Sequence, residues 1–194
     1  MTRGLRLAVL YLALGMGANA AAAEGHEDLL QGDMRAMLLH EEAVDPGAVR
    51  FTDAEGNEMG LDAFAGQYVV LNFWATWCAP CRVEMPSLNR LQQTLGGEGF
   101  RVVTIATGRN PIPAINRFFE AGGITDLPIY LDPRQTMSRQ MGVLSLPVTV
   151  LLDPEGQEVG RLRGDADWAS DETLAFLRAW SGRSGQSGQS GQDD

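Results

Sequence analysis

Between Tyr68 and Trp74 the chain runs Tyr-Val-Val-Leu-Asn-Phe-Trp, an almost unbroken apolar stretch, and the next landmark is Cys78-Ala79-Pro80-Cys81. Apolar residues without alternation are the pattern of a strand buried on both faces, which requires a sheet covered on both sides. After the cysteines the period changes. Met85, Leu88, Leu91 and Leu95 share one face of a predicted helix over 83–95 that stops at Gly96-Gly97. A buried strand running straight into an amphipathic helix sets the class as α/β and puts Cys78 at a helix N-terminus.

The rest of the chain fits that class. A second buried strand is predicted over 101–107, a helix over 113–121, a short strand over 128–131 and a helix over 134–141, with Met137 and Met141 one turn apart. Residues 147–152 and 158–163 read as strands joined by the turn Asp153-Pro154-Glu155-Gly156. A last helix over 171–180 has Ser170 as its N-cap. Upstream, 49–52 and 58–61 flank a polar turn and predict a β-hairpin. Leu29, Leu30, Met34, Met37 and Leu38 recur at helical spacing, which predicts an amphipathic helical lead-in over 24–43 before Asp45-Pro46-Gly47 breaks it. The expected core is one domain over 44–180, a mixed central sheet flanked by helices.

Both ends read differently. Arg3 and Arg6 precede 17 uncharged residues from Leu7 to Ala23, apolar first and then small, in the order of an export signal with cleavage after Ala20 or Ala23. The other reading is an uncut membrane anchor, although that length, interrupted by Gly15, Gly17 and Asn19, falls short of the roughly 20 residues a span needs. Either way the domain is expected in the periplasm or another extracytoplasmic space, where disulfides persist. The Ser-Gly-Gln repeats of residues 184–192 have nothing to bury, so 181–194 is expected to be a flexible tail.

Charge excludes one class of partner. All 15 basic residues are arginine against 25 acids, a net charge of −10, so no basic stripe is available to neutralise nucleic-acid phosphates.

Two cysteines cannot staple a mini-protein, and a bridge closing so short a loop contributes little stability. A static disulfide or half a zinc site are the plain alternatives. Zinc needs two more ligands, yet there is no second cysteine pair, and His26 and His40 lie far from the motif. Redox use fits better. Backbone N–H groups at a helix start stabilise a thiolate at Cys78, and Cys81 falls one turn on, within bridging reach. Lowering a thiol pKa from about 8.5 to about 7 raises its thiolate fraction roughly fifteen-fold at pH 7, while a Brønsted slope of ~0.45 cuts nucleophilicity about five-fold. The net gain is only about three-fold, so most of any rate advantage comes from a good leaving group and from holding a mixed disulfide beside Cys81.

From Val69 to Pro86 (VVLNFWATWCAPCRVEMP) the chain closely resembles the thioredoxin superfamily, and within it the exported TlpA/ResA/CcmG-like disulfide reductases. The resemblance extends over about 44–180 and implies a thioredoxin fold with an added N-terminal β-hairpin. It implies that Cys78 is the nucleophile and Cys81 the resolving thiol, and that Glu84 handles a proton of Cys81. Pro147 matches the family's cis-proline, which with Leu146, Trp77 and Pro80 would line the substrate site. Asn72 stands where cytosolic thioredoxins carry a buried aspartate, and Ser145 where many relatives have glycine. The implied activity is reduction of cysteine pairs in exported proteins, such as apocytochrome c or copper-site proteins of oxidase assembly, by a monomer supplied by a membrane or periplasmic electron donor. No cofactor and no metal are expected. A Cu(I) carrier on the same fold is the alternative, supported by eight methionines but lacking a histidine after His40. A peroxidase of this fold would need Pro and Thr where Leu71 and Ala75 stand.

Overall fold

The computed structural model describes residues 26–183. Residues 1–23, expected to be an export signal, and the Ser-Gly-Gln repeats lie outside them. No helix among the described residues is long and apolar enough to cross a membrane.

Eight strands form one sheet in the order β1-β8-β7-β4-β5-β6-β2-β3. In chain order they are β1 (Met37–Val44), β2 (Phe51–Asp53), β3 (Glu58–Met59), β4 (Tyr68–Trp74), β5 (Phe100–Thr107), β6 (Tyr130–Asp132), β7 (Val148–Leu152) and β8 (Glu158–Arg163). Four helices connect them: α1 (Ala79–Leu95), α2 (Ile112–Gly122), α3 (Thr136–Gln140) and α4 (Asp171–Trp180). β4, β5 and β6 run parallel, while β7 and β8 continue antiparallel from β4. This is a thioredoxin-like mixed sheet. The expected hairpin β2–β3 is present and pairs with β6.

β4 is dry on both faces, as its sequence predicts. Val70 and Trp74 join α1, α2 and α4 in one core with Met85, Leu88, Leu91, Ile115 and Phe176. Val69, Leu71 and Phe73 point the other way, into a second core with Val103, Ile105, Met137 and Val150. Asn72 therefore lies between two apolar residues on the face that carries α1.

The helical lead-in over 24–43 is not what forms. Residues Glu27–Leu29 and Gly32–Ala36 make two short 3₁₀ turns, and Met37–Val44 is strand β1. Gly32 sits at φ 55°, a left-handed conformation that stops a helix in its middle. Downstream, β8 would otherwise present an unpaired edge, and β1 covers it antiparallel. The sheet thus begins before residue 44. The folded domain also ends later than expected, because Ser181 is buried and Arg183 Nη1 donates to the carbonyl of Leu95 at the end of α1, 3.0 Å away. The tail boundary moves from 181 to beyond Arg183.

A charged triad holds β1 on β8. His40 Nε2 lies 2.8 Å from Glu158 Oε1, and Arg161 reaches the same carboxylate through Nε and Nη2 at 2.8 Å each. Arg161 Nη2 also donates to Met141 O, at the start of the 141–147 loop. Burial raises the Glu158 pKa, but hydrogen bonds and charge from Arg161 and His40 outweigh it, so the carboxyl titrates below its ordinary range. Its contribution to stability is present above pH ~4.3 and disappears as pH falls through the depressed native value. Glu158→Gln is expected to cost about 2 kcal/mol at pH 7 and to flatten the acid limb of the stability profile in urea titrations. Equal stability of variant and parent at pH 7 would show that the triad holds nothing.

Candidate active site

Residues 75–77 turn the chain from β4 into α1, and Cys78 is the helix N-cap. Pro80 occupies the first turn, where a missing N–H leaves no bond unmade. The turn is pinned from β5: the backbone N–H and the hydroxyl of Thr76 both donate to Asn110 Oδ1, at 2.7 and 2.9 Å, and Asn110 Nδ2 donates to Thr107 O at 2.8 Å. Cys78 and Cys81 are joined by a disulfide, S–S 2.05 Å and Cα–Cα 5.3 Å, while Cys78 Sγ accepts from Cys81 N–H at 3.3 Å. Cys81 is wholly buried, but Cys78 retains 6% exposure. Only one sulfur of the pair can be reached from solvent.

Cys78 opens on a groove of about 420 Å³ walled by Trp77, Pro80, Leu144, Ser145 and Leu146, with Thr107, Gln135 and Ser138 as its polar lining. The Leu146–Pro147 peptide is cis, and Pro147 itself is buried behind Leu146. Trp77 and Leu144 are 65% and 95% exposed, an apolar rim around the one accessible sulfur. Of the residues that sequence reasoning assigned to substrate contact, Trp77, Pro80 and Leu146 share this groove, and Pro147 adjoins it.

Glu84 lies one helical turn after Cys81 and is 2% exposed. Asn72 Nδ2 donates to its Oε1 at 2.8 Å, and Trp168 Nε1 and Ala166 N donate to its Oε2 at 2.9 and 3.4 Å. Burial pushes the carboxyl up to about 7, with the three donors opposing and the charge of Asp165 adding to the rise. Its two oxygens are not equivalent. Trp168 and Ala166 can only donate, so a proton on Oε2 would confront two fixed donors. Asn72 also donates to Thr149 Oγ1 at 2.9 Å, and its own Oδ1 is buried without a partner. An amide can turn over and a hydroxyl can reverse, so Oε1 is the oxygen that can carry the proton.

Trp168, Ala166 and Thr149 were not predicted as part of this cluster. Trp168 is 84 positions from Glu84 in sequence and sits in the loop before α4. The available signal was chemical: a buried indole N–H needs an acceptor. Met137 and Met141 pack in the second core, as helix spacing indicated. Among the described residues, no group of three or more His, Cys, Asp or Glu side chains is placed to hold a metal ion.

A thioredoxin-like sheet with a Cys-x-x-Cys disulfide at the first turn of its first long helix defines a thioredoxin-superfamily protein. The chain belongs to the AhpC/TSA family, whose sequence profile matches residues 42–157. It is 30% identical over 158 residues to the thiol-disulfide oxidoreductase ResA of Bacillus subtilis, covering 81% of each chain. It is 32% identical over 114 residues to ResA of Bacillus thuringiensis, covering 59% of this chain and 65% of that one. The chain thus spans just under two thirds of that relative. A secreted thiol-disulfide isomerase from Corynebacterium glutamicum has the same fold, with TM-score 0.64 and 21% identity over 76% of this chain and 92% of the other.

The buried carboxyl has a measurable signature. A group whose native pKa is raised stabilises the fold fully below its unfolded value, near 4.5, and that stability is lost as pH rises towards 7. Relative to Glu84→Gln, the oxidised protein is expected to lose about 3 kcal/mol between pH 4.5 and pH 7. Parallel pH profiles for the two proteins in urea titrations would refute the raised carboxyl.

Proposed function

We propose that the protein is an exported thiol:disulfide oxidoreductase that reduces cysteine pairs in other exported proteins. One observation carries this reading: a disulfide at a helix N-terminus with one sulfur buried and the other opening on an apolar-rimmed groove. The cycle starts from the dithiol. The Cys78 thiolate attacks one sulfur of a client disulfide, and the other client sulfur leaves as a thiolate with the electron pair and takes a proton from solvent. Cys81 then gives its proton to Glu84 Oε1 and attacks Cys78 Sγ. The second client thiolate leaves and is protonated in turn. Two electrons have moved to the client, and Cys78–Cys81 is again a disulfide, to be reduced by an exported or membrane-bound dithiol donor. With a pKa near 7, Glu84 is poised to take and return that proton at neutral pH.

The kinship with ResA supports the oxidoreductase class. Apocytochrome c and copper-site proteins of oxidase assembly are the clients we propose, by family resemblance. The export segment supports action outside the cytoplasm, and a monomer is the state we propose.

The reduced protein is expected to reduce insulin and an oxidised peptide bearing the haem-attachment sequence Cys-x-x-Cys-His. Cys78→Ser should abolish both activities, and Cys81→Ser should accumulate a mixed disulfide that mass spectrometry can identify. An unchanged rate in Cys78→Ser would remove that residue from the mechanism. Asn72→Asp should shift the pH dependence of exchange by placing a second acid against Glu84. Superimposable profiles would show that this position is not coupled to the cysteines.

A further inference from the structure

Trp77 separates two grooves. On one side lies the groove at Cys78, whose lining carries no charged side chain. On the other lies a second, of about 370 Å³, formed by Thr76, Trp77, Arg82, Ala114, Arg117 and Phe118. Its two charges are both positive. The guanidinium carbon of Arg82 stands over the Phe118 ring, 5.3 Å from its centre, a cation–π contact that holds the charge at the groove. Among the described residues, neither Arg82 nor Arg117 makes an ion pair or a side-chain hydrogen bond; the five ion pairs involve other cations. Both arginines are exposed. Glu120, one turn along α2, and the buried Glu84 are the nearest acids in sequence, and neither pairs with them.

Other described arginines also lack partners, but Arg82 and Arg117 are the pair that lines one groove, separated from the groove at Cys78 by Trp77 alone. The overall negative field acts over distance and is screened beyond about 8 Å at physiological salt. At contact the local pair dominates.

We infer that the Arg82–Arg117 groove is a specificity subsite that receives an acidic residue of the client polypeptide, on one side only of the cysteine under attack. This rests on the oxidoreductase reading for its setting. A client that leaves the Cys78 groove across Trp77 brings its next side chain to the two guanidinium groups. The opposite flank meets only the uncharged groove wall. Asp or Glu fits the arginine side through charge-assisted hydrogen bonds, and Lys or Arg is repelled.

The test uses synthetic peptides with one internal disulfide, carrying two Asp or two Arg residues on either flank, and stopped-flow rates of reduction by the reduced protein. At low salt, Asp on one flank should react about ten-fold faster than Arg on that flank. The ratio should fall towards one at high salt and in the Arg82→Gln/Arg117→Gln protein. Because each ratio is taken within one protein, any effect of Arg82 on the cysteines cancels. Equal ratios in parent and variant, or equal preference on both flanks, would overturn the subsite.

A second measurement is independent of redox activity. Cys→Ser versions of the peptides are titrated into the oxidised protein while the Trp77 indole resonance is followed by NMR. The acidic peptide should shift it, and the arginine variant should not respond. A matching shift with inorganic sulfate would assign the groove to small anions, and arginine-dependent sedimentation with anionic vesicles would assign it to a lipid surface. Either result overturns the client subsite. Failure of both peptides to be reduced, with the NMR response intact, would sink the oxidoreductase reading and leave the subsite standing.

Discussion

The N-terminus of α1 is the constraint from which the site follows. A helix start leaves backbone N–H groups without partners, and here one of them is aimed at a sulfur, Cys81 N–H to Cys78 Sγ. The geometry holds only because β4 delivers the chain to that point from inside a sheet packed on both faces. Residues on one face of β4 anchor α1, and those on the other anchor the second core. The Asn110 bonds to Thr76 then fix the turn between them. The cysteine pair is thus positioned by the most buried part of the molecule and yet emerges at its surface.

That burial also explains the proton chemistry. A carboxyl placed in the core beside α1 would ordinarily be too costly to ionise. Three donors from β4 and the loop before α4 reduce that cost without removing it, and the result is a group balanced near neutrality. The unpaired Oδ1 of Asn72 is the visible sign of the compromise. A fully satisfied cluster would favour a single protonation state, whereas this one can rearrange around Oε1.

Much of the site was legible in the sequence because its signals are local. The apolar run of β4, the period of α1 and the Ser170 cap of α4 all act over a few residues, and each element forms, with α1 starting at Ala79, four residues before the predicted 83–95. Cys78 and Cys81 follow from that frame, whereas Glu84 was singled out by the family resemblance. The failures were long-range. Leu30, Met34 and Met37 mimic a helical stripe, but Gly32 and the open edge of β8 decided the conformation in favour of 3₁₀ turns and a strand. The partners of Glu84 come from β4 and the loop before α4, with Thr149 of β7 bonded in turn to Asn72, and no short window relates Trp168 or Thr149 to it.

The outer rims of the sheet also matter for the proposed action on other polypeptides. One rim is β3, only two residues long, and the other is β1, where Glu41 and Glu42 stand exposed. β1 is eight residues long and exposes Leu38 and Val44, but the two carboxylates between them interrupt the apolar edge on which a stray extended polypeptide could pair. If clients are held through sulfur as proposed, those edge carboxylates limit how far a released chain can pair along the flank.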